Sequence, residues 1–135
     1  MSRVAVVAAA AAVAAAVNLA VYAVGRLAGG SFRFTSPSGP AEVDAVTVAA
    51  FSVLPLVIGL TVVALLAPRA AWVVRAAWVA GPLLAVVTIA GMTLPADFDT
   101  ISKVGLALCH LTLVPIIVVA VTALGRRAQD AVILP

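Results

Sequence analysis

The chain's only histidine, His110, falls in the run LALCHLTLV, where an ionisable ring among apolar residues marks a pathway or a site by default. Asp97 and Asp99 stand upstream in PADFDT, and Asn18, Tyr22, Ser52 and Thr88 interrupt the other apolar runs. A carboxylate above an imidazole in a dry cleft suits proton transfer on a carbon skeleton. The same amide, imidazole and hydroxyl groups carry donors and acceptors that suit a lipophilic ligand, or one another. A plainer reading competes with both: DFDT is a solvated turn with Asp as a helix N-cap, and His110 bonds Asn18 or Thr88 for packing alone.

Counting closes other routes. With one Cys, Cys109, the chain has no intramolecular disulfide, CxxC pair or thiolate zinc site. With one His it cannot supply paired imidazoles to a membrane haem. No cofactor motif, nucleophile triad or metal-ligand cluster is legible, so neither cofactor nor metal is expected. The net charge of +3 sits at the ends of apolar runs, where membrane topology accounts for it, and nucleic acid is not an expected partner.

These residues need elements to hold them. The 135 residues are 65% hydrophobic and 10% charged, with a mean hydropathy of +1.28; a soluble surface cannot be built from that composition. A bilayer-crossing helix needs roughly 20 apolar residues, and four such stretches lie between charged or Pro/Gly breaks: about 4–25, 45–67, 70–94 and 104–124. The expected fold is all-α, a single four-span transmembrane domain over 1–135 with an up-down-up-down four-helix bundle. The first run exceeds the roughly 7–15 residues of a secretory h-region and reads as a retained helix.

The outer loop, residues 26–44, carries RLAGGSFRFTSPSGPAEVD, whose Gly, Ser and Pro punctuate turns. FRFT alternates like a short strand but has no obvious pairing partner, so an irregular interfacial loop is expected. Arg3, Arg69, Arg75, Arg126 and Arg127 share one side, against Arg26, Arg33 and Lys103 on the other. That bias places both termini in the cytoplasm. Trp72, Arg75 and Trp78 then form an anchoring cluster, indoles between headgroup and hydrocarbon with a snorkelling guanidinium.

Within lipid, helices associate through small residues and interhelical hydrogen bonds. Ala8, Ala11, Ala15, Asn18, Tyr22 and Gly25 make one such face on the first span. At about 1.5 Å per residue, Asn18, Ser52, Thr88 and His110 all come out about 10 Å below the outer surface. They should form one polar layer joined by Tyr22, with Asp97 and Asp99 as an outer mouth. Pro55, Pro82 and Pro115 free the carbonyls of Phe51, Trp78 and Leu111, of which those of Phe51 and Leu111 adjoin Ser52 and His110 in that layer.

The chain resembles the small four-helix membrane proteins of actinobacteria catalogued as a domain of unknown function. The likeness rests on NLAVYAVGRLAG closing the first helix, AEVDAVTVAAF opening the second and LCHL early in the fourth. It implies a four-helix fold in a bacterial cytoplasmic membrane and brings no activity. The expected role is a non-enzymatic packing or accessory subunit, with the bilayer, a membrane-protein partner or a second copy as its company. The alternative is a lipophilic-ligand protein or small membrane enzyme built on the layer around His110. A small multidrug-type transporter ranks below both, since no Asp or Glu lies inside a span.

Overall fold

A computed structural model describes residues 1–133, with side chains through Gln129. The helices are α1 (Arg3–Leu27), α2 (Ala45–Leu66), α3 (Trp72–Thr88) and α4 (Thr100–Ile133). All four are long and apolar enough to cross a membrane, α3 together with the wide π-turn Ile89–Thr93 that continues it. The fourth helix runs beyond the expected 104–124 at both ends.

Side-chain contacts fix the directions. The guanidinium of Arg3 donates to the Ala64 carbonyl at one end of the molecule. Asn18 meets both Ser52 and the Cys109 carbonyl nearer the other. Neighbouring helices therefore run antiparallel, and the helix order across the bundle is α2, α1, α4, α3.

The α1–α2 seam is a four-residue row on each helix, the spacing that keeps side chains on one helical face. Val6, Ala10, Ala14 and Asn18 are buried on α1, and Ser52, Leu56 and Leu60 on α2. This shifts the expected inner face of α1: Ala8 is exposed, and Ala11 and Ala15 are only half-buried. In a helix apolar all round, the sequence offers no polar face to set the rotation.

Glycine notches hold α3 to α4 in the way small residues bring membrane helices together. A Cβ on Gly81 would stand 2.6 Å from Ile117, and one on Gly125 would stand 2.9 Å from Val74. Trp78 Nε1 also donates to Thr122 Oγ1 at 3.2 Å. By contrast α3 buries only Val73 and Ala85. Held by α4 on one flank, it leaves the seam toward α2 open.

The outer loop corrects the expectation of an irregular segment. Strand β1 (Arg33–Ser36) pairs antiparallel with β2 (Gly39–Glu42), in the register Arg33 to Glu42 through Ser36 to Gly39. The missing partner for FRFT was GPAE, across a Pro37–Ser38 turn that Gly39 completes at φ +117°. Pro40 is tolerated because a two-stranded hairpin is all edge. Such a hairpin is marginal alone, and three groups outside the ladder, Arg26, Asp97 and Asp99, hold it. Arg26 and Arg33 both pair with Glu42, at 2.8 and 3.2 Å, and Asp97 and Asp99 accept hydrogen bonds from Thr35 and Ser31.

Phe32 is the hairpin's anchor. Its ring is fully buried against Gly25, Gly30 and Gly105, and Tyr22 packs on it with ring centroids 4.7 Å apart. Its φ of +55° costs about 1–2 kcal/mol for a residue with a Cβ. Burying a Phe side chain returns about 1.5–3 kcal/mol, and its backbone N–H donates to Ser102 Oγ at 2.8 Å. Burial and the hydrogen bond together outweigh the strain.

Candidate functional site

The expected single polar layer divides in two. Asn18, only 1% exposed, is the centre of a closed knot. Its Nδ2 donates to Ser52 Oγ at 2.7 Å and to the Cys109 carbonyl at 3.1 Å. Its Oδ1 accepts from Thr112 Oγ1 at 2.5 Å. Ser52 passes its own proton to the Val48 carbonyl at 2.7 Å, and the Cys109 thiol points to the Asn18 carbonyl at 3.7 Å. Both amide protons and one oxygen lone pair are used across three helices, which meets the demand of an amide in hydrocarbon for partners.

His110 and Thr88 do not join this knot. Thr88 Oγ1 donates into its own helix, toward the Leu84 and Ala85 carbonyls at 2.9 Å. His110 Nδ1 bonds the Leu106 carbonyl one turn earlier at 2.8 Å. Tyr22 lies higher, in the apolar cluster of Phe32, Phe98 and Leu106. The carbonyl used is not one freed by a proline: Asn18 takes the Cys109 carbonyl, which also stands 2.9 Å from Thr112 Oγ1 as a second acceptor for its one proton.

What His110 and Thr88 share with the knot is a groove of about 640 Å³ inside the arc of helices. Its walls are α2 and α3, its floor is Leu106, His110, Leu113 and Ile117 of α4, and Asn18 and Ser52 touch it from the α1 side. Phe34, Ala41 and Val43 of the hairpin and Phe98 roof its hairpin end, where the Phe34 and Phe98 rings meet tilted by 43° with centroids 4.9 Å apart. Small residues line the walls: Gly59 on α2 faces open space, and Ala77, Ala80 and Gly81 lie opposite on α3. The α2–α3 seam gives this groove a side opening toward the surroundings of the bundle.

The two carboxylates hold the roof. Asp97 accepts from the backbone N–H and hydroxyl of Thr35 at 2.8 and 2.7 Å. Asp99 caps α4 through Ser102, at 2.9 Å from N and 2.6 Å from Oγ, and also accepts from Ser31 N and Oγ at 2.9 and 2.8 Å. Asp99 is thus the N-cap of α4, and neither acid is part of the groove's lining. These hydrogen bonds pull both carboxyls below their usual 3.8, Asp97 chiefly through the Thr35 N–H and Asp99 chiefly through the Ser102 hydroxyl.

Trp72 is exposed at the start of α3, Arg75 lies one turn on and is also exposed, and Trp78 is half exposed. The sequence reading missed Thr112, Ser102, Ser31 and Thr35. Thr112 stands three residues after Cys109 on the Asn18 side of α4, and an S/T/D census of loop ends would have found the others.

Residues 1–129 match the model of a family of unknown function (DUF6069). The chain belongs to this family. The match covers the whole bundle, groove and hairpin roof. No curated protein and no solved structure matches the chain. Among the described residues, no cluster of His, Cys, Asp and Glu has the makings of a metal site.

Proposed function

We propose that this membrane protein holds a lipophilic small molecule in the groove between α2 and α3, beneath the hairpin, and carries out no bond-making step of its own. The observation behind this reading is the setting of His110. Its Nδ1 is committed to a backbone carbonyl, while the ring lines an apolar groove of about 640 Å³. Ligand pockets of about 300–1,000 Å³ with few polar groups in an apolar lining are the common form of small-molecule site. The side opening would admit a guest from the bilayer and not from water. Asp97 and Asp99 are engaged in holding the roof, which argues against a carboxylate acting as acid or base on the guest.

The setting that goes with this role is a bacterial cytoplasmic membrane, with both termini in the cytoplasm and the hairpin outside. The excess of Arg at the termini and the central turn supports that orientation. The accessory-subunit reading would instead seat a partner's helix in the same seam.

Gly59 offers the test, because it lines the groove and has open space where a side chain would go. In native mass spectrometry of gently extracted protein, the wild type should carry a stoichiometric adduct that is not phospholipid. Gly59→Phe should lose the adduct and keep the wild-type unfolding temperature. A wild type carrying only phospholipid, or an adduct that survives Gly59→Phe, overturns the reading.

A further inference from the structure

We infer that the molecule held in the groove bears a hydroxyl group, which donates its proton to His110 Nε2; this rests on the groove reading above.

His110 Nδ1 lies 2.8 Å from the Leu106 carbonyl. A carbonyl only accepts, so Nδ1 carries the proton, and in the neutral ring Nε2 presents a lone pair. Nε2 has no hydrogen-bond partner among the described residues, and no fully enclosed polar atom of theirs goes unpartnered. His110 lines the groove, and its Nε2 is an acceptor awaiting a donor. Thr88 adds a second acceptor of the same kind: its proton is spent on the carbonyls of its own helix, which leaves oxygen lone pairs. The Asn18 amide next to them has both of its protons committed to the knot and offers a guest no donor.

Thr93 supplies an independent observation. It is 3% exposed, lines the same groove, and its hydroxyl makes no hydrogen bond among the described residues. It sits in the π-turn, where the Leu94 N–H reaches back five residues to Ile89 at 2.9 Å. Wide turns of this kind recur at functional sites because they re-aim side chains. Of these three side chains, His110 and Thr88 offer atoms that can only accept, and Thr93 a hydroxyl that can do either. A guest with acceptors alone, such as an ether, ester or ketone, would leave His110 unsatisfied in an apolar setting. A lipophilic alcohol satisfies it, and its oxygen can accept in turn from a hydroxyl such as that of Thr93.

The probes are dodecan-1-ol and its methyl ether, matched in chain and differing in the donor, added to the full-length protein in micelles. Because the chain has one histidine, a ¹⁵N-imidazole spectrum reports His110 alone. The alcohol should bind about fivefold tighter than the ether, the worth of one ordinary hydrogen bond. It should also move the Nε2 resonance in the direction of hydrogen bonding, with the ether leaving it in place. His110→Leu should erase the preference, and Thr93→Val should reduce it. Equal binding of both probes with Nε2 unmoved overturns the hydroxyl inference and leaves the groove reading standing. Binding of neither probe overturns both, and the spectrum on wild-type protein decides the matter even where His110→Leu fails to fold.

Discussion

The ring of Phe32 lies so close to the backbone of Gly25 that a Cβ on the glycine would come within 2.7 Å of Cζ. This contact joins the end of α1 to the hairpin that roofs the groove. Gly25→Ala should therefore destabilise the fold by about 1–3 kcal/mol through overpacking, read as a lower unfolding temperature in detergent. Adding Phe32→Leu should recover part of that loss, because the smaller side chain vacates the space the new methyl needs. If the double variant is as unstable as the two losses added together, the contact is not what couples them.

Removing the amide of Asn18 should cost less than its three hydrogen bonds suggest. Ser52 keeps its bond to a carbonyl of its own helix at 2.7 Å, and the Thr112 proton has the Cys109 carbonyl within reach at 2.9 Å once Asn18 Oδ1 is gone, so Asn18→Ala strands neither hydroxyl. Interhelical hydrogen bonds in membranes are worth about 0.6 kcal/mol on average and up to about 1.7 kcal/mol. Asn18→Ala should accordingly lower stability by about 1–3 kcal/mol, cavity included, and Ser52→Ala by about 1 kcal/mol or less. Equilibrium unfolding of both variants in mixed micelles measures this, and a larger loss for Ser52→Ala would reverse the roles assigned to them.

The roof should loosen in acid. Asp97 and Asp99 titrate below their usual 3.8 because Thr35, Ser102 and Ser31 donate to the ionised forms. A depressed carboxyl stabilises the docked hairpin fully above that usual value, and the contribution is lost as pH falls through the lower, folded one. Hairpin docking should thus be flat from neutral pH down to about 4 and weaken below it. Asp97 accepts two hydrogen bonds and Asp99 four, so Thr35 should be released before Ser31. Amide exchange at Thr35 and Ser31, corrected for intrinsic rates, reads both steps. Asp97→Asn should free Thr35 at neutral pH.

The orientation has a direct test. Cys109 is buried, so an added cysteine reports alone. Ser38→Cys in the hairpin turn should react with a membrane-impermeant maleimide applied to intact cells, and Ser2→Cys only after lysis. The reverse pattern would put the termini outside.

Composition alone determined that lipid is the main solvent of this chain, and the charged breaks located the helices to within a few residues, except at the ends of α4. Of the polar residues in the apolar runs, Asn18 and Ser52 are buried, Thr88 and His110 are half-buried, and all four border the groove. Only the tertiary structure decided how they divide, because hydrogen-bonding partners depend on helix rotation, and Ala-rich helices apolar on every side carry no pattern that sets rotation. Asn18 turned toward Ser52 and Thr112 and closed a knot. His110 turned to its own helix and left a nitrogen free on the wall of the groove. The hairpin was hidden for a related reason: a strand needs a partner, and FRFT found its partner in a Gly-Pro segment whose composition reads as loop. The groove exists because glycine notches commit α3 to α4 and a row of small and polar side chains commits α2 to α1, a choice of neighbours that hydropathy does not encode.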